Sequence, residues 1–220
     1  MKKYIFIPAR SNSKRFYRKV FKKFGNTFLL KYLYDRLSDM QNVTVIILTS
    51  IRKTDDRLSD LCTKNNMNCF RGPLNNLSLR FILACEKYNI KSFARINGDS
   101  PLIDVNIIKK LFDIFEKKKK YHFFTNIYPR SYPVGQSVEI YKYNTLKKYY
   151  KKFNKFQQEH VGEYLYRNNK VKKFNLKYKK DLSKINMSIN TRKDYIFLKK
   201  ILKKENYKKN ISLNKLIKYF

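Results

Sequence analysis

Two stretches of this 220-residue chain carry side chains suited to phosphate chemistry. In ARSNSKRFYRK, residues 9–19, the basic groups Arg10, Lys14, Arg15, Arg18 and Lys19 crowd around Ser13, directly after the apolar run Tyr4–Pro8. Guanidinium groups pair bidentately with phosphate oxygens, and the backbone N–H groups of such a loop add donors. In RINGDSPLID, residues 95–104, Asp99 stands beside Gly98 at the end of a second apolar run. A carboxylate facing a basic loop suits Mg²⁺, which is held by one or two carboxylates together with phosphate oxygens and water. Blander readings use the same residues as a solvated basic loop and as a turn cap ahead of the next helix.

The net charge of +35 weighs less than its size suggests. Such a charge ordinarily points to nucleic acid or an anionic membrane. Here lysine supplies 39 of the 51 basic residues, alongside abundant Asn, Tyr, Ile and Phe and scarce Gly and Pro. These are the residues of A/T-rich codons, so a coding bias would place lysine on every exposed face. The lysines do scatter, as in the run Lys117–Lys120 and in Lys147, Lys148, Lys151, Lys152 and Lys155. Arginine behaves differently: Arg10, Arg15 and Arg18, three of only twelve, share one loop. A nucleic-acid-binding module stays open as an alternative, and it requires basic and aromatic groups on one continuous face.

The elements that must position these residues alternate. Tyr4–Pro8, Val43–Thr49, Asn68–Arg71, Ser92–Ile96 and Tyr121–Ile127 read as strands. Between them fall helices: one capped by Asn26 or Thr27 with Leu30, Leu33, Leu37 and Met40 inward, then Asp55–Asn66, Asn76–Tyr88 with Leu79, Ile82 and Leu83 inward, and Val105–Lys118. Such repeated βα units predict an α/β fold with a mainly parallel sheet flanked by helices, whose ligands bind at the carboxyl ends of the strands. Beyond Pro133 the pattern changes to a strand at Val138–Tyr141, helices at Thr145–Asn154 and Gln158–Arg167, a strand at Val171–Tyr178, and closing helices at Lys193–Lys204 and Leu213–Tyr219. The length predicts a single domain over 1–220, with about 130–180 as a possible subdomain.

Cys62, Cys69 and Cys85 are odd in number and lack metal-site spacing, which predicts reduced thiols in a cytoplasmic protein. The N-terminal apolar run ends too early, at Arg10, for a secretory signal. No segment has the ~18 apolar residues of a membrane span, so no membrane association is expected.

IPARSNSKRFYRK resembles the opening motif of the cytidylyltransferases that make CMP-activated sugars, the acylneuraminate and Kdo-type synthetases and their spore-coat polysaccharide relatives. Pro8, Ala9, Arg10, Ser13, Arg15 and Lys19 match it in register. The resemblance continues in order through GNTFLLKYLYDRL, RGPLNNLSLRF, RINGDSPLID, YPVGQSVEIY, QEHVGEYLYRN and SINTRKDY, spanning roughly residues 4 to 195. RINGDSPLID is most similar to the spore-coat branch.

What the resemblance implies is a Rossmann-like nucleotidyltransferase fold and an Mg²⁺-dependent reaction of CTP with an acidic sugar or sugar phosphate. In that reading Arg10, Lys19 and Asp99 are catalytic. Pro8, Ala9, Ser13, Arg15, Arg80 and Asn97 join Arg10 and Lys19 around the nucleotide. Glu139, Gln158 and His160 lie on the sugar side, although His160 could equally be structural. Asp99 and Asn190 are the metal ligands, and the family implies a homodimer.

Some positions depart from the family pattern. Asn12 and Arg18 stand where glycine is common, and Tyr17 stands where proline is. Asn190 replaces the usual second metal-binding Asp, while Asp194 lies four residues on, where a helix start could turn it away. A catalytically degenerate homologue is the reading this last substitution leaves open.

Overall fold

The computed structural model describes residues 2–13 and 15–220, so Lys14 of the basic loop lies outside the described residues. Its strands are β1 (Lys3–Pro8), β2 (Lys23–Phe24), β3 (Thr27–Phe28), β4 (Val43–Ser50), β5 (Cys69–Gly72), β6 (Ser92–Arg95), β7 (Phe123–Thr125), β8 (Glu139–Lys142) and β9 (Lys173–Asn175). Helices α1 (Leu29–Ser38), α2 (Asp56–Lys64), α3 (Leu77–Lys87) and α4 (Val105–Lys117) follow β3, β4, β5 and β6 in turn. The second half adds α5 (Tyr143–Tyr150), α6 (Lys155–Glu159), α7 (Gly162–Arg167), α8 (Arg192–Lys204) and α9 (Leu213–Leu216).

Seven strands form one sheet in the order β5-β4-β1-β6-β8-β7-β9. Only β8 runs antiparallel, between β6 and β7. This is the expected mainly parallel Rossmann-like sheet flanked by helices. The buried strands read as continuous apolar runs because both faces are covered. On one face Ile5, Ile7, Ala94 and Ile96 pack under α1, α4 and α8. On the other, Phe6, Phe93 and Tyr141 of the sheet pack with Phe81 of α3 into an aromatic layer covered by α3, α5 and α7, with Phe6 and Phe93 stacked at 4.3 Å between ring centroids.

Several expected boundaries shift for local reasons. Asn26 and Thr27 do not cap α1; they belong to a β2–β3 hairpin that turns through Gly25, at φ +66°, and Phe28 takes the cap position without a side-chain bond. The expected helix Gln158–Arg167 breaks at His160 (φ −105°, ψ 69°) and splits into α6 and α7. In α3 the inward face is Leu77, Phe81, Ala84 and Cys85 together with the expected Ile82, whereas Leu79 is half-buried and Leu83 exposed. The strands at 121–127 and 171–178 shorten to β7 and β9. Thr145–Asn154 becomes α5, which starts at Tyr143 and stops at Tyr150. All three cysteines are free of disulfides, and no helix among the described residues is long and apolar enough to cross a membrane.

Candidate active site

A cavity of about 360 Å³ opens at the carboxyl ends of β1 and β6. Its floor forms where β1 stops at Pro8. The Ala9 N–H donates to Leu48 O at 3.0 Å, holding the chain against β4 for one further residue. Ser11 N–H then donates to Asp55 Oδ1 at 2.7 Å, and Ser50 Oγ donates to the same carboxylate. Asp55 is buried, which disfavours its charged form, but those donors outweigh burial and hold its carboxyl below the usual range. Arg18 then adopts left-handed backbone (φ 53°, ψ 32°) and sends the chain into a single 3₁₀ turn, Lys19–Phe21. This conformation costs an L-residue roughly 1–2 kcal/mol.

Lys19 and Asp99 meet across the cavity although 80 residues separate them in sequence. Lys19 Nζ donates to Asp99 Oδ2 at 2.9 Å and to Ile189 O at 3.0 Å. Ile189 N–H in turn donates to Asp99 O at 2.8 Å, so the segment before α8 braces the Asp99 turn. Gly98 makes the turn possible: a Cβ there would sit 3.1 Å from the Pro8 carbonyl oxygen. Arg10 Nη2 lies 3.3 Å from Glu159 Oε2 at the end of α6, and both side chains are about one-third exposed.

Of the residues named from sequence, Pro8, Ala9, Arg10, Ser13, Lys19, Arg80, Asn97, Asp99 and His160 line this one cavity. Arg80 does so with a guanidinium already engaged: Nε donates to Pro73 O and Nη2 to Leu74 O, each at 3.0 Å. Burial, with the Arg10 charge second, lowers its pKa to about 10, so it stays cationic at neutral pH. His160 sits exposed on the rim, against the Phe156 ring at 4.3 Å, rather than as a core histidine.

The other named residues fall elsewhere. Arg15 is exposed on the outer side of the loop and is absent from the lining. Gln158 ties α6 to α3, its Oε1 accepting from Asn76 Nδ2 at 3.1 Å. Glu139 is buried beneath the cavity, 3.1 Å from Arg95 Nη1. Asn190 stands next to Ile189 but turns its amide to Ser188 Oγ at 2.7 Å. Asp194 is consumed as a helix cap, its Oδ2 accepting from the backbone N–H groups of Asn190 and Thr191.

Two charged lining residues, Arg95 and Glu159, were not singled out from the sequence. A charged residue inside the otherwise apolar Ser92–Ile96 run was the available signal for the first, since arginine is almost never fully buried without a partner. For the second it was the rarity of acid: only 16 Asp and Glu in the chain.

Among the described residues no cluster of three or more His, Cys, Asp or Glu could hold a metal by itself. Asp99 offers one carboxylate at the cavity wall. That donor set fits a magnesium ion carried in by phosphate oxygens, not a dedicated protein cage.

The cytidylyltransferase family model matches residues 4–218. An uncharacterized protein of Methanocaldococcus jannaschii is 32% identical over 194 residues, which cover 86% of this chain and 78% of that protein. The spore coat polysaccharide biosynthesis protein SpsF of Bacillus subtilis is 26% identical over 229 aligned positions, covering 96% and 90%. Among solved structures, a cytidylyltransferase from Leptospira borgpetersenii superposes with a TM-score of 0.92 at 32% identity, over 99% of this chain and 93% of that one. A CMP:2-keto-3-deoxy-manno-octonic acid synthetase complexed with CTP superposes at 0.72 with 13% identity, over 92% and 99%, a likeness of fold alone.

Proposed function

The chain belongs to the cytidylyltransferase family, and on that footing we propose that it transfers CMP from CTP to an acidic sugar or sugar phosphate, releasing pyrophosphate, for surface polysaccharide synthesis. The observation that carries the reading is the juxtaposition, in one cavity at the strand ends, of Arg10, Ser13 and Lys19 with Asp99.

The triphosphate is taken by the loop after β1. Lys19 spends two of its three ammonium donors on Asp99 and Ile189 O, and the third remains for a phosphate oxygen. The Arg10–Glu159 pair is about one-third exposed and at 3.3 Å, and pairs of that kind hold weakly, so phosphate replaces Glu159 at little cost. Arg80 contributes fixed positive charge from the wall. A nucleophilic oxygen of the sugar, an ionised phosphate oxygen or a hydroxyl that gives up its proton to solvent, attacks the α-phosphorus in line, the bond from that phosphorus to the bridging oxygen breaks, and pyrophosphate leaves. The chain's part is position and charge neutralisation. Asp99 would hold Mg²⁺, which neutralises phosphate charge when bound, and Asn190 could add a neutral carbonyl ligand from beside Ile189. The reading carries with it a cytoplasmic setting, in keeping with three free thiols, and a homodimer formed through residues about 130–180.

A pyrophosphate-release screen crossing the common nucleoside triphosphates with acidic sugars and sugar phosphates tests the proposal. Turnover with CTP and one class of acidic acceptor is the expected result. Binding of CTP with no turnover on any acceptor would favour the degenerate homologue instead, and Asn190→Asp would then be expected to raise turnover.

A further inference from the structure

Arg95 and Glu139 are partners in the antiparallel register of β6 and β8. Arg95 Nη1 lies 3.1 Å from Glu139 Oε2. The other carboxylate oxygen accepts from Tyr141 Oη at 2.9 Å and from Tyr166 Oη. Glycine at 162 lets α7 close over this group, because a Cβ there would stand 2.6 Å from Glu139 Oε1 and 2.5 Å from the Tyr166 ring. The carboxylate is therefore held from three sides, and it anchors the guanidinium through Nη1. Burial disfavours the Arg95 cation, but the Glu139 charge outweighs that and raises its pKa.

One guanidinium nitrogen is left without a partner by the protein. Arg95 lines the cavity, and its Nε is buried with no hydrogen-bond partner. The neighbouring cations are differently committed: Lys19 to Asp99, Arg10 to Glu159, Arg80 to backbone carbonyls. A buried ion pair is a poor way to gain stability, since well-packed apolar residues often serve as well or better. A buried N–H left without an acceptor costs a further ~1–3 kcal/mol. Both costs are explained if an oxyanion from outside completes the set.

We propose that Arg95, oriented by Glu139, is the receptor for the anionic group of the second substrate, a carboxylate or a phosphate. This rests on the cytidylyltransferase reading above and deepens it. Arg95 lies at the end of β6, four residues before Asp99, in the cavity that Leu77 and Arg80 of α3 and Glu159 of α6 also line. A guanidinium anchored at Nη1, with Nε unpaired on its other edge, suits planar, bidentate oxyanion recognition. A neutral acceptor would leave that edge unsatisfied, so the site discriminates by charge as well as by contact.

The test titrates inorganic phosphate and, separately, pyruvate onto protein saturated with CTP and Mg²⁺, at 150 mM salt as a chosen condition, roughly physiological. Wild type is compared with Arg95→Met and with the double variant Arg95→Met/Glu139→Gln, which leaves no unpaired buried charge. The expected result is binding of one anion to wild type, weakened roughly 10–100-fold in both variants, with CTP affinity within about threefold of wild type. The phosphate and pyruvate arms tell which oxyanion is read. The proposal is overturned if wild type binds neither anion, if the double variant binds them equally well, or if it loses CTP as Arg10→Met does, which would place Arg95 in the triphosphate cradle. Failure of wild type to bind CTP at all would instead sink the underlying reading, and the same titrations without CTP would still report on Arg95.

Discussion

Lys19 is the side chain on which the site's electrostatics turn. It lies 2.9 Å from Asp99 and is largely shielded from solvent, so its loss removes a phosphate donor and leaves Asp99 without its cation. Lys19→Met is expected to lower kcat/KM for CTP by about 10²–10³-fold, the scale of removing one preorganised donor from developing charge, with the fold intact by circular dichroism. Undiminished turnover would remove Lys19 from the mechanism. At Arg18 the expectation concerns stability: replacing a left-handed arginine with glycine relieves backbone strain, offset by glycine's larger unfolded-state entropy. Arg18→Gly should therefore raise stability by at most about 1 kcal/mol, measured as urea midpoint. Both loop residues were legible in the sequence because charge and register were local. The Arg95–Glu139 pair was not, since nothing short of the β6–β8 pairing places one beside the other.

At the level of elements, the loop after β1 depends on α2. Asp55, at the N-terminus of that helix, accepts the Ser11 N–H at 2.7 Å and the Ser50 hydroxyl, so it sets where the basic loop begins. Asp55→Ala strands a buried N–H and should cost ~1–3 kcal/mol while raising KM for CTP several-fold with little change in kcat. Asp55→Asn, which keeps an acceptor, should restore most of both. Equal KM in all three proteins would make Asp55 structural only. The pH dependence follows from the direction of its shift. The folded carboxyl titrates below its ordinary 3.8, so its contribution is fully present above that pH and fades as pH falls through the folded value. The strand–helix alternation to α4 was readable because each strand is a continuous apolar run and each helix keeps one face. The second half was harder. The break at His160 and the β2–β3 hairpin answer to contacts with α3 and α1, and the rotated face of α3 answers to the aromatic layer beneath it; local pattern carries none of these.

Across the whole molecule, a net charge of +35 on 26.7 kDa is self-repelling at low ionic strength, and salt screens it within about 10 Å at 0.1 M. The melting temperature is therefore expected to rise by a few degrees between 10 and 200 mM NaCl. A fall would mean that attractive ion pairs, such as Arg10–Glu159 and Lys209–Asp39, outweigh the repulsion. Neither the charge nor the arginine cluster maps directly onto the cavity: lysine spread by composition marks no particular face, and of Arg10, Arg15 and Arg18 only Arg10 lines it, joined there by Arg80 and Arg95 from other elements. The central claim is that this cavity takes CTP, and calorimetric or fluorescence melting with each nucleoside triphosphate tests it most directly. At 100 times Kd, a ligand stabilises by about 2.7 kcal/mol, or roughly 5–10 °C for a chain of this size. The account predicts a shift of that order with CTP and Mg²⁺, well above those with ATP, GTP and UTP; no shift with CTP, or the same shift with all four, would contradict it.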